Sequence, residues 1–205
     1  MELVWQITLF ALLGYILGSL SFAKWIAAMH GVNIFEVGSG NPGATNVKRS
    51  LGAKAGNMVF LLDFVKGFAA AGIPWFAMSG EHNEMLAIVG LVSAVVGHSF
   101  SIFLRFRGGK GVATTMGGLL AIMPLVVVIG IVVWLVFFYS LRFVSLASIL
   151  FGVSLPMSAW LLKEPQWFFG FSIFIAVVLV VRHKSNIVRL IQGTENRFVK
   201  KPKTQ

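Results

Sequence analysis

From Gly111 to Leu141 the chain carries no charged residue, and a soluble domain of this size has too little interior to bury such a segment. As a single α-helix it would extend about 45 Å, against a hydrocarbon core of about 30 Å. Pro124 interrupts it and Arg142 ends it, so it is expected to form two passes, about 112–123 and 125–141. Other uncharged runs cover 3–23, 86–104 and 143–162, each close to the roughly 20 residues that cross a bilayer. Charged residues make up 12% of the chain, about half the usual share. The expected fold is all-α, a polytopic transmembrane helix bundle forming a single membrane-embedded domain over 1–205. Glu2 stands where a signal peptide would be basic, and no small-residue cleavage pattern follows, so 3–23 reads as a retained span. The absence of cysteine excludes disulfides, thiolate metal sites and a thioester intermediate.

Charge sorts the loops. Lys24, Lys48, Arg49 and Lys54 form one basic region and Arg105, Arg107 and Lys110 a second. The tail 182–205 forms a third, basic and amphipathic. The segment 79–84 holds two glutamates and no basic residue, and Lys163 cancels Glu164. The excess of basic residues on cytoplasmic loops puts the N-terminus outside, the three basic regions inside and the C-terminus in the cytoplasm. That orientation needs an odd number of crossings, and seven spans are expected, two of them short. Five spans with 112–141 as a re-entrant pair is the alternative. The net charge of +10 then reflects topology and anionic lipid, and no nucleic acid partner is expected.

Three polar segments fall on the inner side. The first, GSGNPGATNVKR at 38–49, combines glycines that admit a ligand close to the backbone with an Asn-Pro-Gly turn. Thr45 or Asn46 is expected to cap the following helix, Ser39 supplies a hydroxyl, and Arg49 supplies a fork matched to phosphate. Gly40 and Asn41 complete the candidate binding set here. A plain turn is the competing reading, although the segment is longer and more polar than a connection requires. The second, RFRGGKGVATT at 105–115, has the ingredients of an anion cradle: Gly108, Gly109, Lys110 and Gly111 opening a helix that carries Thr114. It is not a nucleotide P-loop, because Lys110 is followed by Gly111 rather than a hydroxyl residue. The third, RHKSNIVRLIQGTENRF at 182–198, places His183, Asn186 and Glu195 in a basic tail, with Gly193 expected to stop a short helix. An amphipathic helix lying on the lipid surface is its bland alternative. Asp63 and Lys66, three apart inside a span, read as an ion pair orienting that helix, and His98 as a satisfied interior histidine. Trp5, Trp75, Trp160 and Trp167 sit near the outer boundary as an aromatic belt. Nothing in the composition suggests a metal.

GSGNPGATNVKRSLG, GHSFSIFLRFRGGKGVATT and RHKSNIVRLIQGTEN resemble the three signature regions of the bacterial integral-membrane acyl-phosphate:glycerol-3-phosphate acyltransferases, the PlsY family. LLDFVKG at 61–67 is similar to a further stretch of it, and the likeness covers nearly the whole chain in order. A local departure is SFSIF at 99–103, where the family commonly has a proline. The resemblance implies transfer of a fatty acyl group from acyl phosphate to the 1-hydroxyl of glycerol 3-phosphate, giving lysophosphatidic acid and phosphate. It implies an enzyme of the bacterial inner (plasma) membrane with its active site facing the cytoplasm, and no cofactor. Implied partners are the two substrates, membrane lipids, and the enzymes that make acyl phosphate or use lysophosphatidic acid. By motif match, Ser39, Arg49, His183 and Asn186 are the catalytic residues and 108–111 the glycerol-phosphate loop. Asp63, Lys66 and Glu195 are supporting residues.

The chemistry agrees with this. Soluble-domain glycerolipid acyltransferases pair a histidine with an aspartate five residues later. Here those positions after His30, His82, His98 and His183 are Phe35, Ala87, Phe103 and Val188. Acyl phosphate is already an activated anhydride, so positioning two phosphates and balancing their charge can supply much of the rate. The proton of the attacking hydroxyl has two acceptors open to it, His183 and a substrate phosphate, of which the phosphate is favoured. The rival class is a transporter or exporter of a phosphorylated solute, against which stands the lack of paired half-sequences with interrupted spans.

Overall fold

The structure is a computed structural model that describes residues 1–77, 80 and 82–198. Every regular element among them is helical. Parts of the expected outer segment 79–84, and the tail lysines Lys200, Lys201 and Lys203, lie outside the described residues. The chain divides into two compact units, Met1–Pro124 and Leu125–Gln205.

In the first unit α1 (Glu2–Ser19) ends where Leu20 turns extended, at φ −63° and ψ 118°. Ser21 then caps α2 (Phe22–Met29) by accepting the Lys24 N–H at 3.3 Å. A polar loop leads to α3 (Ala44–Leu51), and Gly52, at φ 95°, turns the chain into the long α4 (Ala53–Ala77). After α5 (Asn83–Ser99) come a 3₁₀ turn, Ile102–Leu104, and α6 (Val112–Ile122). The helix α4 is the hub and packs on all five other α-helices of the unit. Glycines let its neighbours approach: a Cβ on Gly67 would collide with the Thr114 carbonyl of α6, and one on Gly18 of α1 with the Ala94 carbonyl of α5. Small residues at helix contacts are how helices associate where lipid removes the hydrophobic drive between them.

The second unit comprises α7 (Pro124–Leu141), α8 (Val144–Leu161), α9 (Gln166–Arg182) and α10 (Lys184–Ile191). The helix α8 packs against α9 and α10. Met123 and Pro124 break the long uncharged segment into two helices as expected, and α6 at 11 residues reaches only about 17 Å. Gly193, at φ 69°, follows α10 as its expected stop.

Five segments among the described residues are long and apolar enough to cross a membrane: Glu2–Met29, Ala53–Phe76, Asn83–Leu104, Pro124–Leu141 and Val144–Leu161. The pair α9 and α10, bent by 59°, makes a sixth if taken as one span. Large apolar side chains cover the outside of these helices, including Leu125, Val136 and Met157. Only a lipid environment makes such a surface favourable. Trp5, Trp160 and Trp167 are 74%, 70% and 77% exposed near helix ends, as residues of an interfacial belt are. Trp75 is half-buried.

Candidate functional site

The first polar segment is built around one buried side chain. Asn46 accepts the Ser39 N–H on Oδ1 at 2.9 Å. Its Nδ2 donates to the carbonyls of Ile34 at 3.2 Å and Val37 at 3.0 Å. Ile34 itself sits in an apolar cluster with Ala23, Ala27, Val47 and Val59, which anchors the loop from below. Gly38 must be glycine twice over, since its φ is 58° and a Cβ there would strike Asn46 Oδ1. The result is a loop closed on Asn46 that leaves Ser39 exposed at its rim. Asn46 was expected to bind substrate or cap α3, and the structure corrects both expectations. Its amide is committed to the loop, and the N-cap of α3 is Gly43, in extended conformation and without a side-chain cap. Thr45 is likewise inside the first turn. Because nothing caps α3, the N–H groups of Ala44 and Thr45 donate to no group among the described residues. They face outward at the positive end of the helix. Asn41 and Thr45 are half-buried around this end, Gly40, at φ 65°, turns the loop into it, and Arg49, also half-buried, stands in the last turn of α3.

The second segment meets the first. The Arg107 guanidinium lies over the Phe35 ring at 5.1 Å, and the Cβ position of Gly109 is 3.1 Å from the Pro42 carbonyl. Here too the glycines act differently from expectation. Gly108 and Gly109 were assigned amides for an anion, but the Gly108 N–H donates to Ser99 O at 3.1 Å and the Gly109 N–H to His98 O at 3.0 Å. They tie the loop to the end of α5, and a Cβ on Gly108 would collide with the His98 carbonyl. The positive groups left in this segment are the half-buried Lys110 and the first turn of α6. Gly111, at φ 83°, begins that turn, and the N–H groups of Val112 and Ala113 have no partner among the described residues. The hydroxyls of Thr114 and Thr115 are fully buried there, and neither has a hydrogen-bond partner among the described residues. Buried hydroxyls are rarely left so without a function.

Beneath this loop Lys66 Nζ pairs with Asp63 Oδ1 at 2.8 Å, as the spacing predicted. The lysine also reaches α1 and His98, so the pair does more than orient α4.

The third segment forms a network within the second unit. His183, at the junction of α9 and α10, is buried and donates Nδ1–H to Leu179 O at 2.8 Å. A carbonyl can only accept, so in the neutral ring Nε2 is the unprotonated nitrogen. The buried Glu195 carboxylate collects three donors at 2.8 Å: Asn186 Nδ2 and Ser145 Oγ on Oε1, and Arg189 Nε on Oε2. Burial alone would raise the Glu195 pKa. The bonds from Asn186, Ser145 and Arg189 outweigh it and hold the carboxyl below its usual value. Glu195 thereby fixes the amide of Asn186. Ser145 was not anticipated, because its partner lies fifty residues away in sequence and no local pattern marks it.

A family model described as glycerol-3-phosphate acyltransferase matches residues 8–193. The chain is 44% identical to the glycerol-3-phosphate acyltransferase of Aquifex aeolicus, covering 90% of this chain and 95% of that one. It is 41% identical to that of Fusobacterium nucleatum, with 92% and 96% covered. Among solved structures it is similar to PlsY, an integral membrane glycerol 3-phosphate acyltransferase, in its glycerol 3-phosphate form. That likeness has a TM-score of 0.89 at 39% identity, over 94% of this chain and 96% of that one. The lysophosphatidic acid form of that enzyme gives 0.87 at 38% identity, over 94% and 95%.

Proposed function

The chain belongs to the PlsY family of integral-membrane glycerol-3-phosphate acyltransferases, and from that premise we propose that it takes its acyl group from an acyl phosphate. The acceptor is the 1-hydroxyl of glycerol 3-phosphate, the products are lysophosphatidic acid and inorganic phosphate, and the reaction begins phospholipid synthesis. The observation that supports a phosphorylated donor is the pair of helix starts, α3 and α6, whose first N–H groups have no partner among the described residues, with Gly109 close to the Pro42 carbonyl between them. A reaction between two phosphorylated substrates needs two such sites. Lys110, Gly111 and Thr114 serve glycerol 3-phosphate, and Ser39, Gly40, Asn41, Thr45 and Arg49 serve the acyl phosphate. His183 and Asn186 are the second unit's catalytic residues.

In the reaction the hydroxyl oxygen attacks the acyl carbon, a C–O bond forms, and the carbon–oxygen bond to phosphate breaks with the electron pair leaving on phosphate. The proton passes to a substrate phosphate, whose second ionisation lies near neutrality, at a pKa of about 6. No metal or cofactor enters this scheme. Purified enzyme in detergent should release phosphate only when acyl phosphate and glycerol 3-phosphate are both present. Equal turnover with an acyl thioester in place of acyl phosphate would remove the donor assignment.

The sites are also proposed to face the cytoplasm of a bacterial inner membrane, by the distribution of basic residues. The chain lacks cysteine, so introduced thiols report without background. Gln166→Cys, exposed at the first position of α9, should react with an impermeant maleimide in intact spheroplasts, while Thr194→Cys should react only after lysis. Labelling of Thr194→Cys in intact spheroplasts would invert the topology.

A further inference from the structure

An ion pair inside a membrane span is costly, because both charges must leave water, and replacing one by apolar residues is often no loss of stability. Asp63 and Lys66 are 2% and 4% exposed, so their retention calls for a purpose. The Lys66 ammonium donates to Gly18 O at 2.9 Å and Leu20 O at 2.8 Å, two carbonyls left over where α1 breaks. Its third N–H points to His98 Nδ1 at 2.9 Å, and Asp63 Oδ1 forms an ion pair with it at 2.8 Å. An ammonium only donates, so Nδ1 is the acceptor and the ring proton of His98 sits on Nε2. Asp63 lies 3.6 Å from the same Nδ1 and balances the charge. The imidazole is thereby fixed from its inner edge by groups on α4.

Its outer edge meets the glycine loop. A Cβ on Gly109 would collide with His98 Nε2, so that ring edge fills the place where any other residue would carry its side chain. The main chain of His98 accepts the Gly109 N–H, and that of Ser99 accepts the Gly108 N–H, at 3.0 and 3.1 Å. Gly109 is held from above by a carbonyl and from the side by a ring, both belonging to His98. An ion pair that merely oriented α4 would need neither the histidine nor this contact.

We infer that His98, braced by Lys66 and Asp63, is a positioning residue that sets the height of the 108–111 loop and with it the affinity for the phosphate of glycerol 3-phosphate. The inference rests on the reading of that loop as the glycerol-phosphate site. The decisive variant is His98→Asn, whose Oδ1 can replace Nδ1 as acceptor for Lys66 but which has no ring edge against Gly109. It should keep the wild-type melting temperature, raise the KM for glycerol 3-phosphate about tenfold, and leave kcat and the KM for acyl phosphate within about twofold. Gly109→Ala should raise the same KM by forcing the loop off the ring. In the double variant the methyl enters space the ring has vacated, so its KM should not exceed that of Gly109→Ala alone. Strict multiplication of the two effects, or a normal KM in His98→Asn, overturns the inference. Normal KM values in both Lys110→Ala and Gly109→Ala would instead remove the loop from glycerol 3-phosphate binding and take the inference with it. Thus the two failures are told apart by whether the loop variants themselves respond.

Discussion

Glu195→Ala is expected to destabilise the enzyme by about 3–5 kcal/mol, enough to lose most of the folded protein at physiological temperature. Three donors converge on this carboxylate, and two of them, from Asn186 and Ser145, are buried. Truncation takes the carboxylate acceptor from each buried donor, at about 1–3 kcal/mol apiece. Arg189, with a third of its side chain exposed, recovers water and adds less. Removal also unlatches the end of the chain, because Glu195 connects the residues after α10 to the start of α8. Glu195→Gln keeps an acceptor for Asn186 and Ser145 and loses the charge and the acceptor for the part-exposed Arg189, so its loss should be smaller. Acid separates the two effects. The folded carboxyl has a pKa below its ordinary value, so its stabilisation is complete above that ordinary value. It drains away as pH falls from about 4–5 through the lower folded value. Wild type should therefore lose melting temperature along that limb, and Glu195→Gln should lack this part of the slope. An unchanged melting temperature in Glu195→Ala at neutral pH would show that the three hydrogen bonds contribute nothing net.

The features legible in the sequence are those fixed by chain-local physics. Uncharged runs marked the helices because hydrocarbon tolerates little else, Pro124 marked the break between α6 and α7, and Gly193 marked the end of α10. Asp63 and Lys66 paired as i,i+3 neighbours must when both are buried. What could not be read is how polar atoms distribute among competing partners. The motif at 38–49 offers Asn46 as cap, ligand or loop support. Only the fold shows that the carbonyls of Ile34 and Val37 claim its amide, which leaves the first turn of α3 uncapped. In the same way Gly108 and Gly109 look like an anion cradle until the end of α5 comes into place and takes their N–H groups. Their conformational freedom is then beside the point, since the space for a Cβ is what they lack. Ser145 carries no sequence signal, and His98 reads only as a satisfied interior histidine, because the groups they serve are far along the chain.

Ser39→Ala is expected to lower kcat by about 10²–10³, the loss seen when one donor to a developing charge is removed, without exposing a covalent intermediate in the wild type. A serine acylated by acyl phosphate would need a base at about 2.6–3.2 Å from Oγ. Among the described residues no group hydrogen-bonds to that hydroxyl, its neighbours Gly38 and Gly40 have no side chains, and Asn46 Oδ1 is occupied by the Ser39 N–H. The same bond ties the serine backbone to α3, and the side chain is exposed. An exposed hydroxyl without a base can donate to a phosphate oxygen. The anhydride already has a good leaving group, so an acyl-serine would add a step and lower no barrier. Both substrates must then be bound before chemistry, and initial rates should give intersecting double-reciprocal lines. Ser39→Ala should keep its KM for glycerol 3-phosphate, because the Lys110 loop holds that substrate. Parallel lines, together with acyl label retained on Ser39 when glycerol 3-phosphate is withheld, would falsify direct attack and make Ser39 the nucleophile.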